Sequence, residues 1–302
     1  MIKIPPFLKK GDTIAITCPA GYMAREKAQT CNETLQNWGF EVLVGKTLGS
    51  KSKTYFSGTD EERLAELQAM MDEPSIKAIL CARGGYGIGR MIDEIDFTSF
   101  KKNPKWIIGF SDVTVLHAHI NKNLQIATLH APMAAAFNDG GFKNKYIRSL
   151  KETLVGKKAN YTCKPHTFNK TGTAKAELVG GNLALLAHLT GTKSELQTKN
   201  KILFLEDIGE QLYNVDRMMH QLKRSGKLNN LAALIIGGFT DIEDTQRPFG
   251  KKVYEIIHEL INEYNYPVCF GFPVSHAKEN VALKSGCTYQ LSITASKTTL
   301  IG

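Results

Sequence analysis

The sequence predicts an α/β protein built on a mostly parallel sheet with helices on both faces. Three observations carry this. Strand-like and helix-like stretches alternate along the chain, the order from which parallel sheets with crossover helices are made. The length of 302 residues corresponds to about two domains at roughly 150 residues each. Apolar residues make up 42% and charged residues 22%, the balance of an ordinary soluble globular protein that needs no disulfide framework or structural metal to fold.

Each element has its own reason. Thr13 to Cys18 (TIAITC) reads as a buried strand, and Ala24 to Trp38 as a helix stopped by Gly39. Glu41 to Val44 is a second strand. Thr59-Asp60-Glu61-Glu62 has the form of a capping box and opens a helix with Leu64, Leu67, Met70 and Met71 on one face. Ala78 to Ala82 and Lys105 to Phe110 are further buried strands, each followed by a helix-compatible segment. Gly156 to Lys175 is polar, basic and without period. It is read as a linker, 156–175, between a domain at 1–155 and a domain at 176–302. In the second domain LVGGNLALLAHLTGT is followed by a strand from Ile202 to Asp207 and a helix from Val215 to Leu222. The strand LAALIIGGF, a helix from Val253 to Tyr264, and strands through PVCFGFP and TYQLSIT complete it.

The formal charge is +9, from 38 Lys and Arg against 29 Asp and Glu. Charge of this sign suits nucleic acid, an anionic membrane surface or an acidic substrate. The lysines fall in short groups (Lys51 with Lys53, Lys101 with Lys102, Lys157 with Lys158, Lys251 with Lys252) without interleaved aromatics. That pattern favours a solvated lysine-rich surface, with no nucleic-acid and no membrane partner. No apolar run approaches the ~18–20 residues of a membrane-spanning helix. The first apolar run is too short for a signal-peptide core, so a cytoplasmic protein is expected. The six cysteines, Cys18, Cys31, Cys81, Cys163, Cys269 and Cys287, show no C-x-x-C pair and no zinc spacing. They read as reduced structural thiols.

Several lookalike sites fail. Gly39 to Thr47 (GFEVLVGKT) has five residues between its glycines where a phosphate loop has four, and those five read as a strand. Gly84 to Gly89 (GGYGIG) does not complete G-x-G-x-x-G, because Arg90 and Ile92 stand where the third glycine belongs. His117 and His119, two apart on a helix, point in different directions and share no ion. No metal and no cofactor is expected.

The strongest local signal is KWIIGFSD, Lys105 to Asp112. A buried strand ends at Ser111 and an apolar helix pattern (Val113, Leu116, Ile120) begins at once, the setting of a nucleophile elbow. The amides at that helix start can stabilise an oxyanion. The motif is G-x-S-x-V, and a helix-capping serine is the plain alternative. A serine nucleophile needs a base and a group that orients the base. His276, after the strand-like run CFGFPVS, and Glu206, at the end of ILFL, are the candidates. A surface histidine and a helix-capping carboxylate are their plain alternatives.

These residues resemble the LD-carboxypeptidase family of serine peptidases, which also contains the microcin-immunity peptidases. The landmarks are ARGGYG (Ala82 to Gly87), GFSDVT (Gly109 to Thr114), LVGGNLALLAHLTGT, FLEDIGEQLYNVDRMMHQL (Phe204 to Leu222) and GFPVSH followed by Asn280. The resemblance runs from Gly11-Asp12 to about Leu291. It implies a Rossmann-like or flavodoxin-like amino-terminal domain, a smaller α/β carboxy-terminal domain, and an active site in the cleft between them. It implies a triad of Ser111, His276 and Glu206, with the backbone amides of Gly85 and Asp112 as the oxyanion hole. Homodimers are common in the family. Departures stand at Ser275-His276-Ala277, where Gly-His-Gly is usual, and at Leu283-Lys284-Ser285-Gly286, where Leu-Pro-x-Gly is usual. Ala131, in His130-Ala131-Pro132-Met133, replaces a frequent glycine.

The activity implied is serine-type LD-carboxypeptidase hydrolysis of a murein tetrapeptide between its diamino acid and the terminal D-alanine. Arg83 is a candidate for the substrate carboxylate, because guanidinium binds carboxylate bidentately; a structural ion pair is the alternative. Gly84 and Tyr86, in the same turn, are further substrate-binding candidates. The rival within this chemistry is a microcin-immunity-type amidase acting on peptidyl or aminoacyl nucleotides. Two other classes were weighed: a non-catalytic small-ligand-binding protein, and a nicotinamide oxidoreductase, against which the broken glycine fingerprint counts.

Overall fold

The computed structural model describes residues 2–302, which divide into two compact units. The first comprises residues up to 157 together with 281–284, and the second comprises 158–280 and 285–302.

In the first unit the alternation of the sequence becomes β1 (Thr13–Thr17), α1 (Gln29–Asn37), β2 (Glu41–Val44), α2 (Asp60–Asp72), β3 (Ile76–Cys81), α3 (Thr98–Lys102), β4 (Trp106–Gly109), α4 (Thr114–Leu124), β5 (Thr128–His130) and α5 (Lys145–Leu154). The first five strands are parallel and lie in the order 2-1-3-4-5, the flavodoxin-like arrangement. The runs are continuously apolar because both faces are covered: Ile14, Ile16, Ile79, Leu80, Ile107 and Ile108 have no exposed surface. The helix expected over 24–38 begins as a single 3₁₀ turn at Arg25–Ala28 before α1 proper.

The capping box at α2 forms in full. Thr59 Oγ1 accepts from the Glu62 amide at 3.2 Å, and Glu62 Oε2 accepts from the Thr59 amide at 2.8 Å. Of the apolar face expected on this helix, Leu67, Met70 and Met71 are buried but Leu64 is not; the fourth buried position is Arg63. Its two terminal nitrogens are held inside the fold by the Pro19 carbonyl at 2.6 Å and by Asp60, partners that let a charge tolerate burial.

The second unit contains β6 (Asn160–Cys163), β7 (Gly172–Asn182), α6 (Leu183–His188), β8 (Ile202–Ile208), α7 (Leu212–Arg224), β9 (Ala233–Thr240), α8 (Val253–Ile261) and β10 (Val268–Phe270). The short β11 (Leu283–Ser285) joins the edge of the first sheet beside β5. β12 (Thr288–Ile293) and β13 (Thr298–Ile301) complete a seven-stranded mixed sheet of order 10-9-8-7-12-13-6. Strands 10, 9, 8 and 7 pair in parallel, while 7, 12, 13 and 6 pair antiparallel. The stretch 156–175, read as a linker from its polarity, therefore supplies the edge strand β6 and the start of β7. Its residues alternate in exposure, so half of each strand faces water and the polarity is that of a sheet edge. Among the described residues no helix is long and apolar enough to cross a membrane.

Candidate active site

One group of candidate residues lies where β3 and β4 end, the edge of a parallel sheet at which ligands bind. Ser111 follows β4 by two residues and has φ 63°, a left-handed backbone that a residue with a side chain adopts at a cost. A single 3₁₀ turn, Ser111–Val113, then runs into α4. This is the sharp strand–turn–helix of a nucleophile elbow. A helix-capping serine would stand at the N-cap, but Phe110 occupies that position and Ser111 is the first residue of the turn itself.

Three neighbours hold the turn. A Cβ on Gly109 would stand 2.8 Å from Val113 Cγ2, so only glycine lets the helix start so close to the strand. His117 Nε2 lies 2.9 Å from the Gly109 carbonyl. A carbonyl only accepts, so Nε2 carries the proton; burial pulls this imidazole down to about 4, which keeps it neutral. The buried carboxylate of Asp112 accepts from the Ile88 amide at 2.9 Å, joining the elbow to the glycine turn after β3. Burial raises the Asp112 carboxyl to about 6.

That turn, Arg83 to Gly87, packs directly on the serine. A Cβ on Gly84 would meet Ser111 Cβ at 2.8 Å, Ser111 Oγ at 3.0 Å and the Asp112 amide at 3.2 Å. Gly85 has φ 95°, and a Cβ there would stand 2.7 Å from the Tyr55 hydroxyl. Beneath the turn, Arg63 Nη1 would lie 2.6 Å from a Cβ on Gly87, so the buried guanidinium braces it. Arg83 is exposed, forms no ion pair among the described residues, and donates to the Tyr22 carbonyl. Tyr86 is 52% exposed and Tyr55 is 55% exposed. Phe56 touches both rings, with centroids 5.3 Å from Tyr55 and 5.9 Å from Tyr86. Tyr55 was not legible as a site residue, because only the fold brings it to Gly85.

His117 and His119 part as their spacing requires: one bonds to Gly109 and the other stacks on Phe97 at 5.1 Å. No group of three or more His, Cys, Asp or Glu among the described residues could hold a metal ion.

A separate group of candidate residues lies within the second unit. Glu206 is a fully buried residue of β8, and its Oε2 is 2.6 Å from His276 Nδ1. A carboxylate accepts, so Nδ1–H points at Glu206 and Nε2 presents its lone pair. A bulge in β9 lies beside this meeting. Leu205 pairs with Ile236 and Asp207 with Phe239, so Gly237 and Gly238 together oppose Glu206 and β9 bends there. The two glycines admit the segment that carries the histidine: the Gly238 amide donates to the Val274 carbonyl at 2.9 Å. A Cβ on Gly238 would stand 2.5 Å from Ser275 Cβ. His276 therefore does not end a strand, as its flanks suggested; β10 stops at Phe270 and a bent segment seated on β9 delivers it. Paired glycines inside an apolar strand were the available signal for that close approach.

Asp207 anchors the same region. Its Oδ1 accepts from Asn182 Nδ2 at 2.6 Å and from the Ile208 amide at 2.9 Å, and its Oδ2 from the Ala184 amide at 3.0 Å. Burial, with the Glu206 charge adding, raises Asp207 to about 6.

A strained serine on a flavodoxin-like sheet, and a buried histidine–glutamate pair on a mixed sheet, define a two-domain α/β protein carrying hydrolase-type groups. The family follows from sequence. The model of the LD-carboxypeptidase N-terminal domain matches residues 14–131 and that of the C-terminal domain matches residues 175–291; the chain belongs to the LD-carboxypeptidase family. It is 36% identical to the probable murein peptide carboxypeptidase of Bacillus subtilis, covering 98% of this chain and 93% of that protein. The Microcin C7 self-immunity protein MccF of Escherichia coli is 27% identical, over 92% of this chain and 90% of its own length. The crystal structure of muramoyltetrapeptide carboxypeptidase from Oxalobacter formigenes superposes with a TM-score of 0.86 at 29% identity, covering 96% of this chain and 98% of that chain.

Proposed function

We propose that the protein is a serine LD-carboxypeptidase that removes the terminal D-alanine from a murein tetrapeptide, with Ser111 as nucleophile. The observation that carries this is the φ of 63° at Ser111, strain of the kind stored at functional sites. The buried His276–Glu206 pair supports it by supplying an oriented base, and the murein peptide carboxypeptidase relative supports the substrate.

In the proposed reaction His276 Nε2 takes the Ser111 hydroxyl proton as Oγ attacks the carbonyl carbon of the diamino acid. Glu206 holds the imidazole and stabilises its cation. The oxyanion is received by the amides of Gly85 and Asp112. The carbon–nitrogen bond breaks, the imidazolium proton passes to the amine, and D-alanine leaves. Water, deprotonated by His276, then cleaves the acyl-enzyme ester and restores the serine. Arg83, Gly84 and Tyr86 are proposed to meet the substrate.

The test is mass spectrometry of a murein tetrapeptide incubated with wild type and with Ser111→Ala, both with EDTA. Loss of one alanine with wild type alone is the expected result. No loss with either folded protein overturns the substrate and turns attention to peptidyl nucleotides, the second reading, which the relationship to the microcin self-immunity protein favours.

A further inference from the structure

The second sheet carries a pair of thiols that the proposed reaction does not use. Cys163 ends β6 and Cys269 is the middle residue of β10, and these are the two outer strands of the seven. The segment between β6 and β7 reaches β10: Lys170 bridges Val268 through backbone hydrogen bonds of 2.9 and 3.1 Å. At this seam the two sulfur atoms are 3.8 Å apart.

We propose that Cys163 and Cys269 are an oxidation site, a dithiol that closes to a disulfide across the seam of the second sheet.

Access and chemistry divide between the two sulfurs. Of the six cysteines five are buried, and Cys163 is the partly exposed one. The contact with Cys269 favours the Cys163 thiolate, while the contact with Cys163 and burial hold Cys269 protonated. The thiolate is the attacking form, so Cys163 reacts first and Cys269 resolves. With a peroxide, the Cys163 sulfur takes one oxygen as the oxygen–oxygen bond breaks, leaving a sulfenic acid and hydroxide. Cys269 sulfur then attacks that sulfur, the sulfur–oxygen bond breaks, and the hydroxyl leaves as water with the Cys269 proton. With oxidised glutathione, two exchanges release two glutathione thiols and leave the same bond. The pair stands at the base of the segment that delivers His276, seven residues beyond Cys269 in the chain.

The other cysteines give an internal control. Cys18, Cys31, Cys81 and Cys287 are buried, out of reach of an oxidant in solution.

The experiment treats the native protein with oxidised glutathione, and separately with hydrogen peroxide, then counts free thiols and maps peptides without reduction. Expected is the loss of two thiols and a mass decrease of about 2 Da, carried by one cross-linked peptide pair containing Cys163 and Cys269 and reversed by dithiothreitol. Cys163→Ser should leave Cys269 unmodified, with a thermal unfolding midpoint matching wild type to show that the sheet is intact. The proposal is overturned if all six thiols survive. It is equally overturned if Cys163 ends as a glutathione adduct or a sulfinic acid while Cys269 stays reduced.

Discussion

Gly84 lies against Ser111 so closely that a single added carbon would touch both the Cβ and the Oγ of the serine, at 2.8 and 3.0 Å. The backbone of the glycine turn thus forms one wall of the serine's surroundings. Gly84→Ala is expected to displace the serine or the turn by several tenths of an ångström. Misplacement on the scale of 1 Å costs about 100-fold in rate, so kcat should fall by about ten- to a hundredfold. Because Gly84 is buried against Ser111, the unfolding midpoint should fall by a few degrees as well. An unchanged kcat, measured on the tetrapeptide, would show that this wall does not position the nucleophile.

The left-handed backbone of Ser111 predicts an uncoupling of stability from activity. Both Ser111→Ala and Ser111→Gly remove the hydroxyl and should abolish turnover. Only glycine relaxes φ 63°, so Ser111→Gly should be about 1 kcal/mol more stable than Ser111→Ala. Urea unfolding of the two variants measures this directly, and equal stabilities would mean that the turn stores no strain.

Glu206→Gln keeps the shape of the buried pair but offers His276 Nδ1 an amide in place of a carboxylate. The imidazole then loses the anion that stabilises its charged form and can settle in the wrong tautomer. A fall in kcat of about 10³- to 10⁴-fold, with KM little altered, is expected by analogy with triad carboxylates. A loss confined to KM would assign Glu206 to binding.

Asp112 gives a pH-dependent prediction. Its carboxyl titrates near 6 in the folded protein against an ordinary value of 3.8, so between these values the folded state holds the proton more tightly than the unfolded chain. Its contribution to stability is therefore greatest below about pH 4 and is lost as pH rises through 6, by about 2–3 kcal/mol. Asn keeps an oxygen for the Ile88 amide without the charge. Asp112→Asn should gain stability relative to wild type as pH rises from 4 to 7, read from chemical unfolding at several pH values. A difference that does not vary with pH would refute the buried carboxyl's role.

Gly238→Ala tests the seat of the histidine. The added carbon would meet Ser275 Cβ at 2.5 Å, which must lift the residue next to His276. The expected outcome is a loss of turnover of about 100-fold or more, with the thermal unfolding midpoint lowered by a few degrees. Full activity would show that the approach segment reaches Glu206 without leaning on β9.

Much of this architecture was legible in the chain. Continuous apolar runs such as Ile14 to Ile16 and Ile202 to Leu205 mark strands covered on both faces, and Thr59 with Glu62 marks the start of α2 through local hydrogen bonds alone. Ser111 was visible because a strand ending on a serine before an apolar helix is a local pattern. The edge strand β6 was not, because a four-residue strand with one face in water has the composition of a loop. Leu64 and Arg63 exchanged their expected places because burial on a helix depends on what the neighbouring loop presents, here the Pro19 carbonyl and Asp60.

What the sequence determined by itself is the set of local periodicities and the chemical types at Ser111, Glu206 and His276, since both follow from neighbours along the chain. Only the tertiary structure decided that Glu206 meets His276, 70 residues away, beside a bulge formed by Gly237 and Gly238. It alone brought Cys163 to Cys269 across 106 residues, on two strands that share no local signal. Hydrogen bonds and contacts between distant segments depend on register and curvature, and these are settled by how whole faces pack rather than by any one stretch of residues.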